Sequence, residues 1–181
     1  MSAATASDSE EPILVRAPGL VLREWARADV PHMVSMFNTT EMDRWTPLTH
    51  PFDHDVATAY VEQAQQGRAA GVLQLAITRD GQRPVGEVLL FPTEFAAMCE
   101  FAYAVGAAHR GCALAARAVT ALLPLATARG YRSARLRVAV DNLASQHAAR
   151  GAGFAATTDP LVRRERKGYV LDMATWTRAI D

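Results

Sequence analysis

Disulfides, lysines and net charge are what this chain of 181 residues has little or none of. Its two cysteines, Cys99 and Cys112, are too few for a disulfide framework. Nineteen basic side chains, all but Lys167 arginine, balance nineteen acidic ones. No global field therefore draws in nucleic acid or an anionic membrane, and neither is expected as a partner. Long hydrophobic runs are missing as well. The strongest charge-free stretch, residues 118–128, contains Pro124 and falls well short of a membrane span of about 20 residues. Asp8, Glu10 and Glu11 precede the first basic residue, Arg16, with no apolar segment among them, so no secretory signal is expected and the location is read as cytoplasmic. What is abundant is alanine, 35 of 181 residues, which favours helices but carries no function. A chain of this length buries roughly 70% of its unfolded surface and needs no metal or disulfide staple.

Residues 1–12 are small, polar and acidic and read as a disordered tail; residues 13–181 read as one domain. Leu20-Val21-Leu22-Arg23 is a short strand, and Val30, Met33, Val34 and Phe37 fall at helical spacing over residues 27–37. Residues 38–51, with two prolines, read as loop plus a helical turn. Asp55 or a neighbour caps a helix running through Gln66, with Gly67 at its C-terminus. Two β-rich runs, 73–77 and 85–91, flank Asp80-Gly81-Gln82-Arg83-Pro84 as a hairpin. A strand over 99–105 precedes a helix over 111–129, whose apolar face includes Leu114, Ala118, Val119, Leu122 and Ala126 and which Gly130 closes. Residues 132–140 alternate as a strand, and 143–150 form a helix. Residues 154–157 and 169–176 are the last strands, joined by a charged loop. The economical fold class is α/β (α+β), one mixed sheet flanked by helices.

The informative segment runs from Cys99 to Ala115: a strand, an Arg110-Gly111 turn, then the long helix. Unpaired N–H groups and a partial positive charge at a helix N-terminus favour phosphate. Gly111 lets the backbone approach an anion, and Arg110 adds a charge-assisted contact. Strand–turn–helix units are common, so this signal alone is modest.

Three features together resemble the GCN5-related N-acetyltransferases, and within them the branch that acetylates N-termini of ribosomal proteins. The strand Glu100-Phe101-Ala102-Tyr103-Ala104-Val105 is similar to that branch's Glu-aliphatic-Gly-Tyr-Trp-aliphatic strand. Residues 110–115 stand where the family has Arg/Gln-x-x-Gly-x-Gly/Ala. Asn142-x-x-Ser145 with Gly153-Phe154 matches the last motif in spacing. The resemblance, over residues 18–178, implies a mostly antiparallel, splayed sheet that holds acetyl-CoA between two parting strands, with no metal. It implies the pyrophosphate on the amides of Gly111, Cys112, Ala113, Leu114 and Ala115 beside Arg110. Pantetheine would lie along Tyr103, Ala104 and Val105, and Asn142 near the thioester. It implies direct attack by an amine, with an oxyanion donor on the 103–105 edge. The acceptor it suggests is a protein N-terminus; a small amine (polyamine, amino sugar or antibiotic) and a silent acyl-CoA-binding module are the alternatives. Pairing through exposed strands makes a homodimer a reasonable expectation.

Two departures from the family pattern stand out. The second glycine of the phosphate loop is Ala113, expected to keep a negative φ at the first helical turn. The general-acid Tyr of many relatives falls at Ala149; the ribosomal-protein branch also tends to lack that Tyr, and the resemblance implies the serine of Asn-x-x-Ser, Ser145, as the proton donor, directly or through water. Glu100 and Glu165 are the candidate general bases, each also readable as a solvated or salt-bridged surface carboxylate. His50 and His54 are split by Pro51, which spoils helical metal-ligand spacing. Cys112 has no evident His partner and reads as incidental. Trp45, Phe52 and Phe95 read as either acceptor-pocket lining or core.

Overall fold

The computed structural model describes residues 11–180, so ten of the twelve residues assigned to the tail lie outside the described residues. The chain runs β1 (Leu14–Ala17), β2 (Leu20–Glu24), α1 (Val30–Phe37), α2 (Thr40–Trp45), α3 (His54–Gly67), β3 (Leu73–Thr78), β4 (Pro84–Pro92), β5 (Met98–Val105), α4 (Leu114–Ala128), β6 (Ser133–Ala139), α5 (Leu143–Gly151), β7 (Ala155–Ala156), β8 (Val162–Arg166) and β9 (Tyr169–Ala179). One sheet orders them β1-β2-β3-β4-β5-β6-β9, with β7 and β8 both on the outer edge of the long β9. Every pairing is antiparallel except β5 with β6. This is the mixed, mostly antiparallel sheet expected.

Strand alternation divides the interior into two cores. Leu75 and Ile77 of β3, Val88 and Leu90 of β4, Phe101 of β5 and Leu136 of β6 face α4 and α5. Ala76 of β3 and Ala104 of β5 face α1 and α3 with Met33, Phe37 and Val61. The first core is closed by the stripe Leu114, Ala118, Val119, Leu122 and Ala126 of α4, all buried. Pro124 sits on the outward side of that helix. The second is closed by aromatics: Trp25, Phe37, Phe52 and Tyr60 meet edge to face with centroids 6.3, 5.6 and 6.0 Å apart. Such pairs contribute about 0.5–1.5 kcal/mol each beyond their buried area.

Three local readings, at β1, β8 and β7, are corrected, and the ends of α3 are made specific. β1 precedes the first expected strand. The charged segment before β9 is the strand β8, paired from Val162↔Met173 to Arg166↔Tyr169. It has no apolar alternation because it is an edge strand, where charge discourages pairing with other chains. The α3 N-cap is Asp53, whose carboxylate accepts from the Val56 N–H at 3.0 Å, and the helical path continues through a 3₁₀ turn to Gly71. Gly67 is the last residue of α3, as expected, and Gly71, at φ 78°, supplies the left-handed residue that ends the 3₁₀ turn. The strand at residues 154–157 is only Ala155–Ala156.

Candidate active site

The site begins where the parallel pair comes apart. Met98–Phe101 pairs with residues 133–136, and beyond Phe101 and Leu136 the two strands share no ladder. The Gly106 N–H donates to the Val85 carbonyl at 3.0 Å. Hydrogen bonding alternates along an antiparallel strand, so Ala104 turns its main chain toward β4 while the amides and carbonyls of Tyr103 and Val105 face the gap. The Tyr103 phenol donates across the gap to the Ser145 carbonyl at 2.8 Å, and burial pushes its pKa up to about 12. A cavity of about 430 Å³ lies on the α4–α5 side and another of about 760 Å³ on the α3 side. Trp45, Thr46, Tyr103, Ala104, Asn142 and Ser145 line both, so the two meet at the gap.

On the smaller cavity, Arg110 donates through Nη1 to both Glu41 oxygens at 2.7 Å and through Nε to the Val105 carbonyl at 3.2 Å. Gly111 has φ 77°, with open space where a Cβ would project. Ala113 has φ 51°, contrary to the negative value expected of it. The turn into α4 demands a left-handed residue, and alanine adopts it at a cost of about 1–2 kcal/mol. No side chain caps α4. Arg110, Gly111, Ala113, Leu114 and Ala115 line the cavity, whereas the exposed Cys112 is not among its lining residues. Asn142 is the N-cap of α5: its Oδ1 accepts from the Ser145 N–H at 3.0 Å. Ala149, the position of the missing Tyr, is wholly buried in the first core.

The larger cavity contains a residue that sequence reading missed. Glu87 of β4 is 3% exposed, and its Oε2 accepts from the Tyr60 phenol at 2.8 Å; that phenol oxygen accepts in turn from Gln74 Nε2 at 3.1 Å. Burial pushes the Glu87 carboxyl up to about 7, against the lowering effect of the Tyr60 donation. Burial, with Glu87 alongside, raises the Tyr60 phenol well above its ordinary value. A signal was present: Glu87 is the one charge in the otherwise apolar run of residues 85–91.

Glu100 also lines this cavity but is engaged, accepting from Arg135 Nε at 2.6 Å with Arg137 Nε 3.9 Å away. Glu165 does not line it. Alternation along β8 puts Arg164 and Arg166 on the cavity side and Glu165 on the other, where its side chain is 69% exposed and accepts from Arg163 at 3.2 Å. Trp45 and Phe52 line the cavity, whereas Phe95 is 58% exposed and takes no part. The tip of the β8–β9 hairpin is fastened over the region by Lys167, which donates to Asp43 at 2.6 Å and to the Leu48 carbonyl. That contact lowers the Asp43 carboxyl below its usual range. Among the described residues no helix is long and apolar enough to cross a membrane.

Several solved structures share this architecture. RimL, a ribosomal alpha-N-protein acetyltransferase, superposes with a TM-score of 0.80 at 18% identity, covering 95% of this chain and 97% of that one. Mycobacterium smegmatis RimJ, in complex with CoA-disulfide, gives 0.78 at 18% identity, covering 93% and 86%. The microcin C7 self-immunity acetyltransferase MccE, in complex with acetyl-CoA and AMP, gives 0.76 at 16% identity, covering 91% and 94%. No curated protein matches in sequence. The family model of the acetyltransferase (GNAT) domain matches residues 19–155. With that match across most of its length and a sheet parted between β5 and β6, the chain belongs to the GNAT acetyltransferases.

Proposed function

We propose that this enzyme transfers the acetyl group of acetyl-CoA to the α-amine of a protein N-terminus by direct attack. The observation that carries the proposal is the junction of two cavities at the Tyr103–Ser145 gap, with the buried carboxylate of Glu87 on the larger one. Acetyl-CoA supplies the activated acyl thioester. The residues at the α4 entrance fit its diphosphate, since the amides at 111–115 have no side-chain cap and the Gly111 turn is open. Arg110 exchanges Glu41 for phosphate, and Tyr103 and Val105 offer the exposed strand edge to pantetheine. Asn142 fixes the first turn of α5 and thereby positions Ser145.

Glu87 accepts the proton that the amine must lose, and the Tyr103 or Val105 N–H donates to the oxygen that gains charge as the nitrogen bonds to the acyl carbon. The C–S bond then breaks, and the Ser145 hydroxyl, resupplied from water, hydrogen-bonds or protonates the departing sulfur. Glu100 is tied to Arg135 and serves to shape the wall. A base near 7 matches an α-amine, whose pKa is about 7.7–8.0, far better than a lysine or polyamine nitrogen near 10.4. A small-molecule amine is the second reading, because about 760 Å³ is within the usual range of small-ligand cavities.

The test is thiol release from acetyl-CoA with short peptides, polyamines, amino sugars and aminoglycosides as acceptors. Turnover on unblocked peptides and none on N-blocked ones is expected. Turnover on the small amines alone moves the acceptor to the second reading, and CoA binding without turnover on any of them makes the chain a silent acyl-CoA module.

A further inference from the structure

Arginine is plentiful here, eighteen residues, and several of them are held by carboxylates. Arg23, Arg68, Arg110 and Arg135 each clasp a carboxylate at 2.6–2.7 Å. Three arginines in the larger cavity differ. β9 pairs with β6 through Ala139↔Met173 and with β8 through Met173↔Val162, so Arg137, Arg164 and Arg166 project from one face of the sheet. All three line the cavity that contains Glu87. Among the described residues, no carboxylate approaches Arg164 or Arg166 within 4.0 Å, and the one near Arg137, Glu100 at 3.9 Å, is engaged by Arg135 at 2.6 Å.

The Nε atoms of Arg137 and Arg166 are buried and have no hydrogen-bond partner. Leaving a buried donor unpaired costs about 1–3 kcal/mol, and more when it is charged. Arg166 spends one nitrogen on the Trp45 carbonyl at 3.1 Å, and burial beside Arg164 lowers its pKa. A cavity wall that keeps like charges together and donors unpaired is arranged for an anion from outside the chain.

We infer that the acceptor is an anionic amine: while its nitrogen meets Glu87, a carboxylate borne close to that nitrogen docks on Arg137, Arg164 and Arg166. Resting on the acceptor proposed above, this selects N-termini with Asp or Glu among their first two residues.

The experiment compares kcat/KM for Asp-Glu-Leu-Tyr against Asn-Gln-Leu-Tyr, and for aspartic acid α-amide against asparagine α-amide. Within each pair size and shape are matched, the amides lack the side-chain carboxylates (two in the peptide, one in the small amine), and rates are compared at a pH where both amines are neutral. The acidic member is expected to be favoured about tenfold or more, through KM, as a charge-assisted contact implies. The exposed Arg164 is replaced first: Arg164→Gln lowers the acid-to-amide ratio severalfold, whereas Arg166→Lys, which keeps the charge, retains part of it. Calorimetric binding of both peptides to Glu87→Gln protein gives the ratio without turnover. Equal values within each pair, or a ratio that Arg164→Gln leaves unmoved while the overall rate falls, overturns the inference. Turnover of the small pair but of neither peptide removes the N-terminus reading alone, and the small pair then decides the anion preference.

Discussion

On the side of α4 and α5 the two helices present mostly small residues to the cavity, Ala113, Ala115, Ala116, Ala144 and Ala148 around the Gly111 turn, with Arg110 and His147 as the polar side chains beside them. On the side of α3 it consists of Tyr60, Gln74, Glu87, Arg137, Arg164 and Arg166, each with its own chemistry. The first wall suits a ligand that is always the same, because amides at a helix end need only small neighbours and a permissive turn. The second must distinguish one amine from another, which takes side chains. The same contrast divides the helix starts that meet at the gap. α5 is sealed by the Asn142 carboxamide, whereas α4 opens behind a left-handed alanine with nothing over its amides.

The largest effect expected from this division is on binding. Gly111→Asp places a carboxylate at the open helix start, where it repels the diphosphate and competes for its donors; CoA affinity should fall at least about a hundredfold by calorimetry, with the fold intact by circular dichroism. Unchanged affinity in the folded variant would move the diphosphate site elsewhere.

On the opposite wall the effect should be on rate rather than binding. Glu87→Gln is expected to lower kcat about 10²–10³-fold while CoA affinity stays within about twofold, and wild-type kcat/KM should climb as pH rises through about 7. The same residue links stability to pH. Its folded pKa is raised, so its stabilising share is complete below about 4.5 and is lost as pH rises through about 7. Thermal melts at pH 5 and pH 9 should therefore diverge more for the wild type than for Glu87→Gln, by up to about 3 kcal/mol. Equal divergence in both proteins would show that Glu87 is not neutral when buried.

The smallest effect concerns the open helix start itself. Ala113→Gly removes the left-handed penalty but gives back unfolded-chain entropy, and a net gain of about 0.5–1 kcal/mol in denaturant unfolding is expected. A loss would show that the alanine methyl contributes packing that outweighs its strain.

The two walls also differ in how far they could be read from sequence. The main-chain wall is legible because turn and helix signals are local: Arg110-Gly111 and the stripe on α4 fall where spacing puts them, while the sign of φ at Ala113 and the place of Cys112, which does not line the cavity, were misjudged. The side-chain wall is assembled from α3, β3, β4, β6 and β8, far apart in the chain, and periodicity within one segment says nothing of what it meets. Glu87 illustrates this. Its place among apolar neighbours marks it as unusual, but only the hairpin with β5 and the aromatic run ending at Tyr60 explain how it is accommodated. Glu165 illustrates the converse: read as a loop residue it was free to face the site, and as a β8 strand residue it faces away while its neighbours Arg164 and Arg166 face in.

One contact reaches further than its size suggests. Lys167 carries the sole ε-amine of the chain and spends it fastening the β8–β9 tip to Asp43 and Leu48. An amine-seeking label, or the protein's own acyl donor acting astray, therefore has a single internal target. Capping that nitrogen unlatches the strand that carries Arg164 and Arg166, so the fraction labelled in a given time counts the molecules whose latch is open.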